Sequence, residues 1–122
     1  MVRFASAVLI AALAAAAATV GASPALAADG AQLFAQQCKI CHQGPSTPLA
    51  PNLTGVVGKD KASRTDFQYS AALKAKAGTW TDADLDKWLT SPGAFVPGTK
   101  MVVAVPDPAN RAALIAYLKT LK

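Results

Sequence analysis

The sequence is poor in the residues that cross-link small domains or build metal centres. It contains two cysteines and one histidine, and all seven of its acidic residues are aspartates. Two cysteines exclude a disulfide-dense scaffold. Only one long apolar run is present, near the N-terminus, which excludes a polytopic membrane protein. A length of 122 residues is enough for one domain and leaves little room for two.

The N-terminal segment differs in composition from the rest of the chain. Residues 1–27 hold 21 of the 64 hydrophobic residues. The other 95 residues contain 43, about 45%, which is ordinary for a globular domain and excludes disorder. We therefore predict two parts, an apolar leader over residues 1–27 and a single folded domain over residues 28–122.

The leader has the three parts of a secretory signal peptide. Arg3 supplies a positive start, Phe4–Val20 forms an alanine-rich apolar run, and a small-residue triplet ends at Ala27. We predict cleavage after Ala27, with Ala25 as the second choice, and export to the periplasm. The alternative is an uncleaved membrane anchor. A run of about 17 residues is at the lower limit for spanning a bilayer, so we expect no stable membrane insertion.

The predicted domain is mildly basic. It carries eleven lysines and arginines against seven aspartates, a formal charge of +4. Such a charge favours partners with acidic surfaces. The lysines are spread along the chain, and a periplasmic protein does not meet nucleic acid, so we expect no nucleic-acid partner.

The spacing of apolar residues predicts an all-α fold with three main helices. These are expected over Asp29–His42, Thr81–Thr90 and Pro108–Leu121, with a further turn of helix near Ser70–Lys74. Thr81 and Asp84 form a pattern like a capping box, with aspartate in place of the usual glutamate. The first and third helices have aspartate as the expected N-cap, and a Ser-Pro-Gly run ends the second.

The remaining residues are predicted to be loop. Residues 43–69 and 91–108 are rich in proline and glycine. Three modest helices in 95 residues bury too little apolar surface to order such long loops. We therefore expect a bulky apolar group that is not made of amino acids to complete the core.

Residues 38–42 read Cys-Lys-Ile-Cys-His, the C-x-x-C-H signature for covalent attachment of c-type heme. Thiols three positions apart can reach both vinyl groups on one edge of the porphyrin, and the following His42 can then bind the iron. Cys38 and Cys41 are thus the predicted attachment residues. The motif uses both cysteines and the one histidine of the chain.

Three other interpretations of the cysteine pair are open. A thioredoxin-type redox pair would need a βαβ context, and the pattern predicts no notable strand. A zinc site would need further cysteine or histidine ligands, which the sequence lacks. An exported protein could also oxidise the pair to a disulfide.

A second axial ligand follows by elimination. Met101 is the one methionine outside the leader, and a thioether is a soft ligand that suits heme iron. The alternative is that a lone methionine fills a gap in the core. Its position in a loop rich in proline and glycine favours a ligand. With both axial positions filled, the iron can transfer one electron but offers no open site, so we expect an electron carrier and not an enzyme.

With these motifs the domain resembles class I cytochrome c over nearly its whole length. The resemblance implies that Gly30 and Phe34 pack against the last helix at Leu114 and Tyr117. Residues 97–101, Pro-Gly-Thr-Lys-Met, match the family's axial-methionine loop almost letter for letter.

The resemblance also implies four further heme-site residues. The Pro51 carbonyl is expected to accept a hydrogen bond from His42, which would fix the imidazole tautomer. Tyr69 and Trp80 match aromatic residues that bond a heme propionate, and Thr99 matches a hydrogen-bonding residue beside the axial methionine. Without the resemblance, both aromatic residues would be taken for core.

Some positions depart from the family pattern. Lys59 replaces an arginine near a propionate, Leu73 an internal asparagine, Trp88 a tyrosine and Val103 a phenylalanine. The lysine-rich stretch after the methionine is missing, which thins the basic ring that meets redox partners. The basic residues still expected near the heme edge are Lys39, Lys74, Lys76 and Lys100.

Three functions fit these expectations. The first is a monomeric periplasmic one-electron carrier with one covalent heme c, ligated by His42 and Met101. The second is a dedicated heme subunit of a periplasmic dehydrogenase complex, which co-purification would reveal. The third is a heme-based sensor, which needs a labile sixth ligand that carbon monoxide can displace.

Overall fold

The computed structural model describes residues 29–122. This part of the chain forms a domain of helices and loops and contains no β-strand. The predicted signal peptide and cleavage site lie outside these residues. No helix of the described part combines the length and hydropathy needed to cross a bilayer. The helices are α1 Gly30–Gln37, α2 Lys39–His42, α3 Ala71–Ala75, α4 Asp82–Thr90, α5 Pro92–Phe95 and α6 Pro108–Leu118.

The predicted first helix is two helices. The Asp29 side chain starts α1 by accepting a hydrogen bond of 3.0 Å from the Ala31 amide, as expected of an N-cap. Cys38, with φ −112° and ψ −37°, stays in the right-handed helical region but departs from regular helix geometry, and it separates α1 from α2. Its amide still bonds the Phe34 carbonyl, and the His42 amide bonds the Cys38 carbonyl. The break therefore sits on the first residue of the C-x-x-C-H motif.

The region after α4 contains a helix that was predicted as loop. Ser91 ends α4 as expected, but its hydroxyl also accepts a hydrogen bond of 3.3 Å from the Ala94 amide and starts α5. Pro92 stands at the first helical position, where its missing N–H costs nothing. The Ser-Pro-Gly run is therefore both a helix stop and a helix start. The short helix expected near Ser70–Lys74 is confirmed as α3.

The capping box at α4 is half formed. The Asp84 amide donates to the Thr81 hydroxyl at 3.1 Å, which is the expected cap. The Asp84 carboxylate does not return to the Thr81 amide, which bonds the Thr79 carbonyl instead. That carboxylate pairs with Lys61 at 2.7 Å.

The two terminal helices pack closely. The rings of Phe34 and Tyr117 lie 5.1 Å apart, and Gly30 faces Ala113 and Tyr117. Leu114 is 1% exposed, the most buried large side chain among the described residues. The packing implied for α1 and α6 is thus present. Helix α6 ends at Leu118, three residues before the predicted end, while Leu121 still packs against the core.

The core surrounds a cavity. Most of its buried side chains also line that cavity, as expected if an apolar group completes the core. The core side chains that do so are Phe34, Leu73, Trp80, Leu85, Trp88, Leu89, Leu114 and Leu118.

Candidate cofactor site

One cavity of about 440 Å³ contains the whole predicted site. Its volume falls in the range of roughly 300–1,000 Å³ that small-molecule and cofactor sites occupy. Side chains from α1, α2, α3, α4, α6 and both long loops line it. The eight predicted site residues are all in its wall: Cys38, Cys41, His42, Pro51, Tyr69, Trp80, Thr99 and Met101.

The cysteines lie at one end of this wall, on the α1–α2 break. Both are half-buried free thiols and are not joined by a disulfide. Burial raises the pKa of the Cys38 thiol, and the neighbouring Cys41 raises it further. No group of three histidine, cysteine or acidic side chains within residues 29–122 is placed to hold a metal ion. The described residues therefore do not support the zinc interpretation.

His42 is held by the loop that follows it. Its Nδ1 lies 2.8 Å from the Pro51 carbonyl oxygen. A carbonyl oxygen can only accept, so Nδ1 carries the proton and Nε2 of the neutral ring keeps its lone pair. Burial lowers the pKa of His42, although the bond to Pro51 opposes this shift. The neutral imidazole is the form that binds metals.

The loop carrying Pro51 is stabilised by its own hydrogen bonds. The Asn52 amide donates to the Ser46 hydroxyl at 2.8 Å, and the Asn52 side chain donates to the Gly44 carbonyl at 2.6 Å. The Thr47 amide bonds the Ala50 carbonyl at 3.0 Å. These contacts, and not regular secondary structure, place the Pro51 carbonyl beside the imidazole.

Met101 is half-buried in a loop anchored on both sides. Before it, the Thr99 amide donates to the Val96 carbonyl at 3.1 Å, which closes a turn at α5. After it, the Val105 amide donates to the Leu89 carbonyl at 2.7 Å. Gly98 has φ +92°, a conformation that favours glycine. The loop thus presents Met101 and Thr99 to the cavity.

The two predicted aromatic residues face the cavity in different surroundings. Trp80 is buried and packs edge-on against Trp88, with ring centroids 5.2 Å apart. Tyr69 is half-buried and packs edge-on against Phe67 at 4.9 Å. Burial raises the pKa of the Tyr69 phenol. Their contact with a propionate stays a prediction.

The Cytochrome c family model matches residues 27–122, which include the whole described part. The chain belongs to the Cytochrome c family. Its relatives and fold make it a class I c-type cytochrome, an electron carrier from a family that binds heme c. The resemblance inferred from the sequence is thereby confirmed, as is the all-α fold.

Named relatives agree with this assignment. The cytochrome is 50% identical to cytochrome c2 of Rhodomicrobium vannielii, over 75% of each chain. It is 46% identical to the cytochrome c-type cyt cy of Rhodobacter capsulatus, over 75% of this chain and 47% of the relative, so it spans about half of that protein. Among solved structures, cytochrome cH from Methylobacterium extorquens is similar, with a TM-score of 0.71 and 44% identity, over 77% of this chain and 97% of that one.

The wall of the cavity fits heme c chemically. It brings together two thiols, an imidazole with a free Nε2 lone pair and a thioether, inside a mostly apolar lining. Soft sulfur and imidazole donors are those that heme iron takes. Residues able to attach, ligate and enclose the group are therefore all present in one site of this cytochrome.

The charged groups at the site were predicted incompletely. Of the four lysines expected near the heme edge, Lys100 lines the cavity. Lys59 and Arg64 also line it. Lys61, which the sequence analysis did not single out, is buried behind the wall. A lysine in a polar loop carries no local signal of burial, since its partner Asp84 lies 23 positions away along the chain.

Proposed function

We propose that this cytochrome is a periplasmic one-electron carrier that holds one heme c through Cys38 and Cys41, with His42 and Met101 as axial ligands. The observation that carries the proposal is the convergence of all eight predicted residues on one cavity. The hydrogen bond between His42 and Pro51 supports it further, because it leaves Nε2 as the ligating nitrogen.

The chain's own residues account for reversible electron transfer without rearrangement. Bound heme iron supplies the chemistry by exchanging one electron between its ferric and ferrous states. The Pro51 carbonyl holds the imidazole of His42 in one orientation. The anchors at Val96 and Leu89 restrain the loop of Met101. Ligands held in place by the fold need little reorganisation when the charge on the iron changes.

The proposed roles of the other three predicted wall residues follow from their surroundings. Trp80 excludes water from the cavity as part of its buried wall. Tyr69 and Trp80 offer hydrogen-bond donors to a propionate, and Thr99 offers one beside Met101. If His42 and Met101 both hold the iron, no ligand position would be left for a substrate, so we propose that the protein is not an enzyme.

The mouth of the cavity provides the proposed docking surface. Leu49 and Val102 are exposed by 69% and 86% while lining the cavity. Lys59 and Lys100 line the same cavity, as does Arg64, which is paired with Asp66. Such a surface fits an acidic redox partner, whose approach it would accelerate at low ionic strength. We propose that the carrier is a monomer that meets such partners transiently.

Replacing the proposed axial methionine tests the ligand set. The Met101→Ala holoprotein should lose the sulfur-to-iron band near the red end of the visible spectrum, and its reduced form should bind carbon monoxide. Ala104→Ser is the matched control, because Ala104 is exposed in the same loop and does not line the cavity. An unchanged Met101→Ala spectrum would refute the assignment of this ligand.

Cell fractionation and redox titration test the rest of the proposal. Heme-stained protein should appear in the periplasmic extract with Ala28 as its N-terminal residue. The purified protein should titrate as one electron per heme. Recovery in the membrane fraction with residues 1–27 intact would contradict the proposed export. Stable co-purification with a dehydrogenase would favour the subunit alternative.

A further inference from the structure

A buried ion pair lies behind one wall of the cavity. Lysine is rarely fully buried, yet the Lys61 side chain is 1% exposed. Its ammonium lies 2.7 Å from the Asp84 carboxylate, which is 28% exposed. Neither residue lines the cavity. The pair is therefore outside the proposed set of ligands and heme contacts.

The ammonium is fixed by three acceptors. Lys61 Nζ donates to Asp84 Oδ2, to the Thr79 carbonyl at 2.8 Å and to the Ala77 carbonyl at 3.4 Å. A lysine has three donors, so each of them has a partner. The Lys61 amide also bonds the Gly78 carbonyl. The side chain thus ties the loop after Gly58 to residues 77–79 and to the first turn of α4.

One aromatic residue separates this charge from the cavity. Lys61 Nζ lies over the Trp80 ring, 5.2 Å from its centroid, and Trp80 lines the cavity. The Trp80 backbone is held next to the segment that contains Lys61, since the Trp80 amide bonds the Lys59 carbonyl at 2.8 Å. A cation over the face of an indole attracts the ring, more strongly when it is desolvated. Lys61 therefore restrains Trp80 through its side-chain bond to the neighbouring Thr79 carbonyl and through its charge.

The two charges do not cancel at the cavity. The Lys61 side chain is 1% exposed and its ammonium lies over the Trp80 ring, whereas the Asp84 side chain is 28% exposed, so water screens the carboxylate more than the ammonium. Charge interactions are stronger in the low dielectric of the interior than near solvent. The pair consequently leaves a net positive potential at Trp80. A positive potential favours the state of a cofactor that carries one more electron.

We propose that Lys61 is a positioning residue for Trp80 and that the Lys61–Asp84 pair raises the reduction potential of this cytochrome. The proposal rests on the proposed function, because it needs a redox cofactor in the cavity. It adds a role for two residues that do not touch that cofactor.

A charge series tests the proposal on the holoprotein. Midpoint potentials are measured by spectroelectrochemistry at low ionic strength for wild type, Lys61→Met, Asp84→Asn and the double variant. Lys61→Met should lower the potential, Asp84→Asn should raise it, and the double variant should lie between them. A general loosening of the wall would move both single variants in the same direction.

An exposed ion pair provides the control: its aspartate lies on α4, as Asp84 does, and its lysine caps the end of α6. Lys119 and Asp82 also form an ion pair, with side chains 49% and 58% exposed, and neither lines the cavity. Lys119→Met and Asp82→Asn make the same changes of charge. Each should shift the potential less than its buried counterpart, because water and salt screen exposed charges.

A second measurement reports on Trp80 itself. Lys61→Met should weaken the near-ultraviolet circular dichroism of the tryptophans and speed amide exchange at Trp80, while Lys119→Met should change neither. If Lys61→Met fails to fold, Asp84→Asn alone tests the inference. It keeps the ammonium and removes the carboxylate charge, so it must raise the midpoint potential. The inference is overturned if Lys61→Met and Asp84→Asn keep the visible spectrum of the wild type but shift the midpoint potential in the same direction. It is also overturned if their shifts are no larger than those of Lys119→Met and Asp82→Asn. A wild type without heme would instead overturn the proposed function.

Discussion

Gly30 and Ala113 mark the closest approach of the two terminal helices. A Cβ atom at Gly30 would overlap the Ala113 carbonyl oxygen and lie 2.9 Å from the Tyr117 Cβ. The obstacle is backbone, which cannot rotate away as a flexible side chain could. This contact requires glycine at position 30 and fixes how α1, with the C-x-x-C-H motif at its end, sits on α6.

Gly30→Ala should therefore destabilise the protein. Forcing atoms into a packed contact costs about 1–3 kcal/mol, which denaturant unfolding of the holoprotein would detect. Gly93→Ala is the matched control, because a Cβ there meets nothing within 4 Å. That control should be neutral or stabilising by up to about 1 kcal/mol. Equal effects of the two variants would contradict the close packing.

Leu114→Ala should remove the best-buried contact between α6 and the cavity. Leu114 is 1% exposed, and truncating such a leucine costs about 2–5 kcal/mol, because the space left behind is only partly refilled. Ile40→Ala deletes the same number of carbons from a side chain that is 83% exposed. It should change the free energy of unfolding by about 0.5 kcal/mol or less.

Arg111 clamps the far end of the Met101 loop. Its guanidinium bonds Asp86 at 2.7 Å and the carbonyls of Val105 and Pro106 at 3.0 and 2.9 Å, and its side chain is 11% exposed. Arg111→Met should cost about 1.5–3 kcal/mol, the range for hydrogen bonds to a charged group. Amide exchange at Val105 should speed up, since its bond to Leu89 closes the same loop.

The exposed pair of Lys119 and Asp82 is again the control for this clamp. Lys119→Met should change the free energy of unfolding by about 0–1 kcal/mol and leave exchange at Val105 unchanged. If the Val105 amide exchanges as slowly in Arg111→Met as in wild type, Arg111 does not restrain the loop.

The Lys61–Asp84 pair should make stability depend on pH in the acid range. Its hydrogen bond to Lys61 lowers the pKa of the Asp84 carboxyl from its ordinary value of 3.8. A carboxyl whose pKa is lower in the folded state stabilises the fold above its unfolded pKa and loses that contribution as the pH falls through the folded pKa. The difference in free energy of unfolding between wild type and Asp84→Asn should thus be constant down to about pH 5 and shrink below the unfolded pKa.

Denaturant unfolding at several pH values measures this difference. A difference that grows as the pH falls would mean that the carboxylate is not stabilised by the ammonium. The double variant with Lys61→Met removes both charges, so it should lack this contribution at every pH.

Local signals predicted most helix starts and the chemical part of the site. Asp29, Thr81 and Asp107 cap helices as expected, because capping needs only a side chain and an amide two or three residues away. Cys38 and His42 were identified for a similar reason, since the motif lies within five residues. The structure then placed them in one cavity with residues as distant along the chain as Leu118, which comes 80 positions after Cys38.

Three features were not predicted, each for its own reason. Ser91 was predicted as a stop, and the turn after it was missed, because a cap that serves two helices is visible only in the folded backbone. The break at Cys38 was missed because the apolar spacing continues through it. The burial of Lys61 depends on Thr79 and Asp84, which only the chain fold brings to its ammonium.

By itself, the sequence determined which side chains could attach and ligate a heme, since those depend on residue type and short spacing. The tertiary structure decided which of them face the same space and where the charges lie. Three contacts join segments that loops and helix packing bring together: Gly30 with Ala113, His42 with Pro51, and Lys61 with the Trp80 ring. Their strength depends on burial and distance, which are properties of the fold.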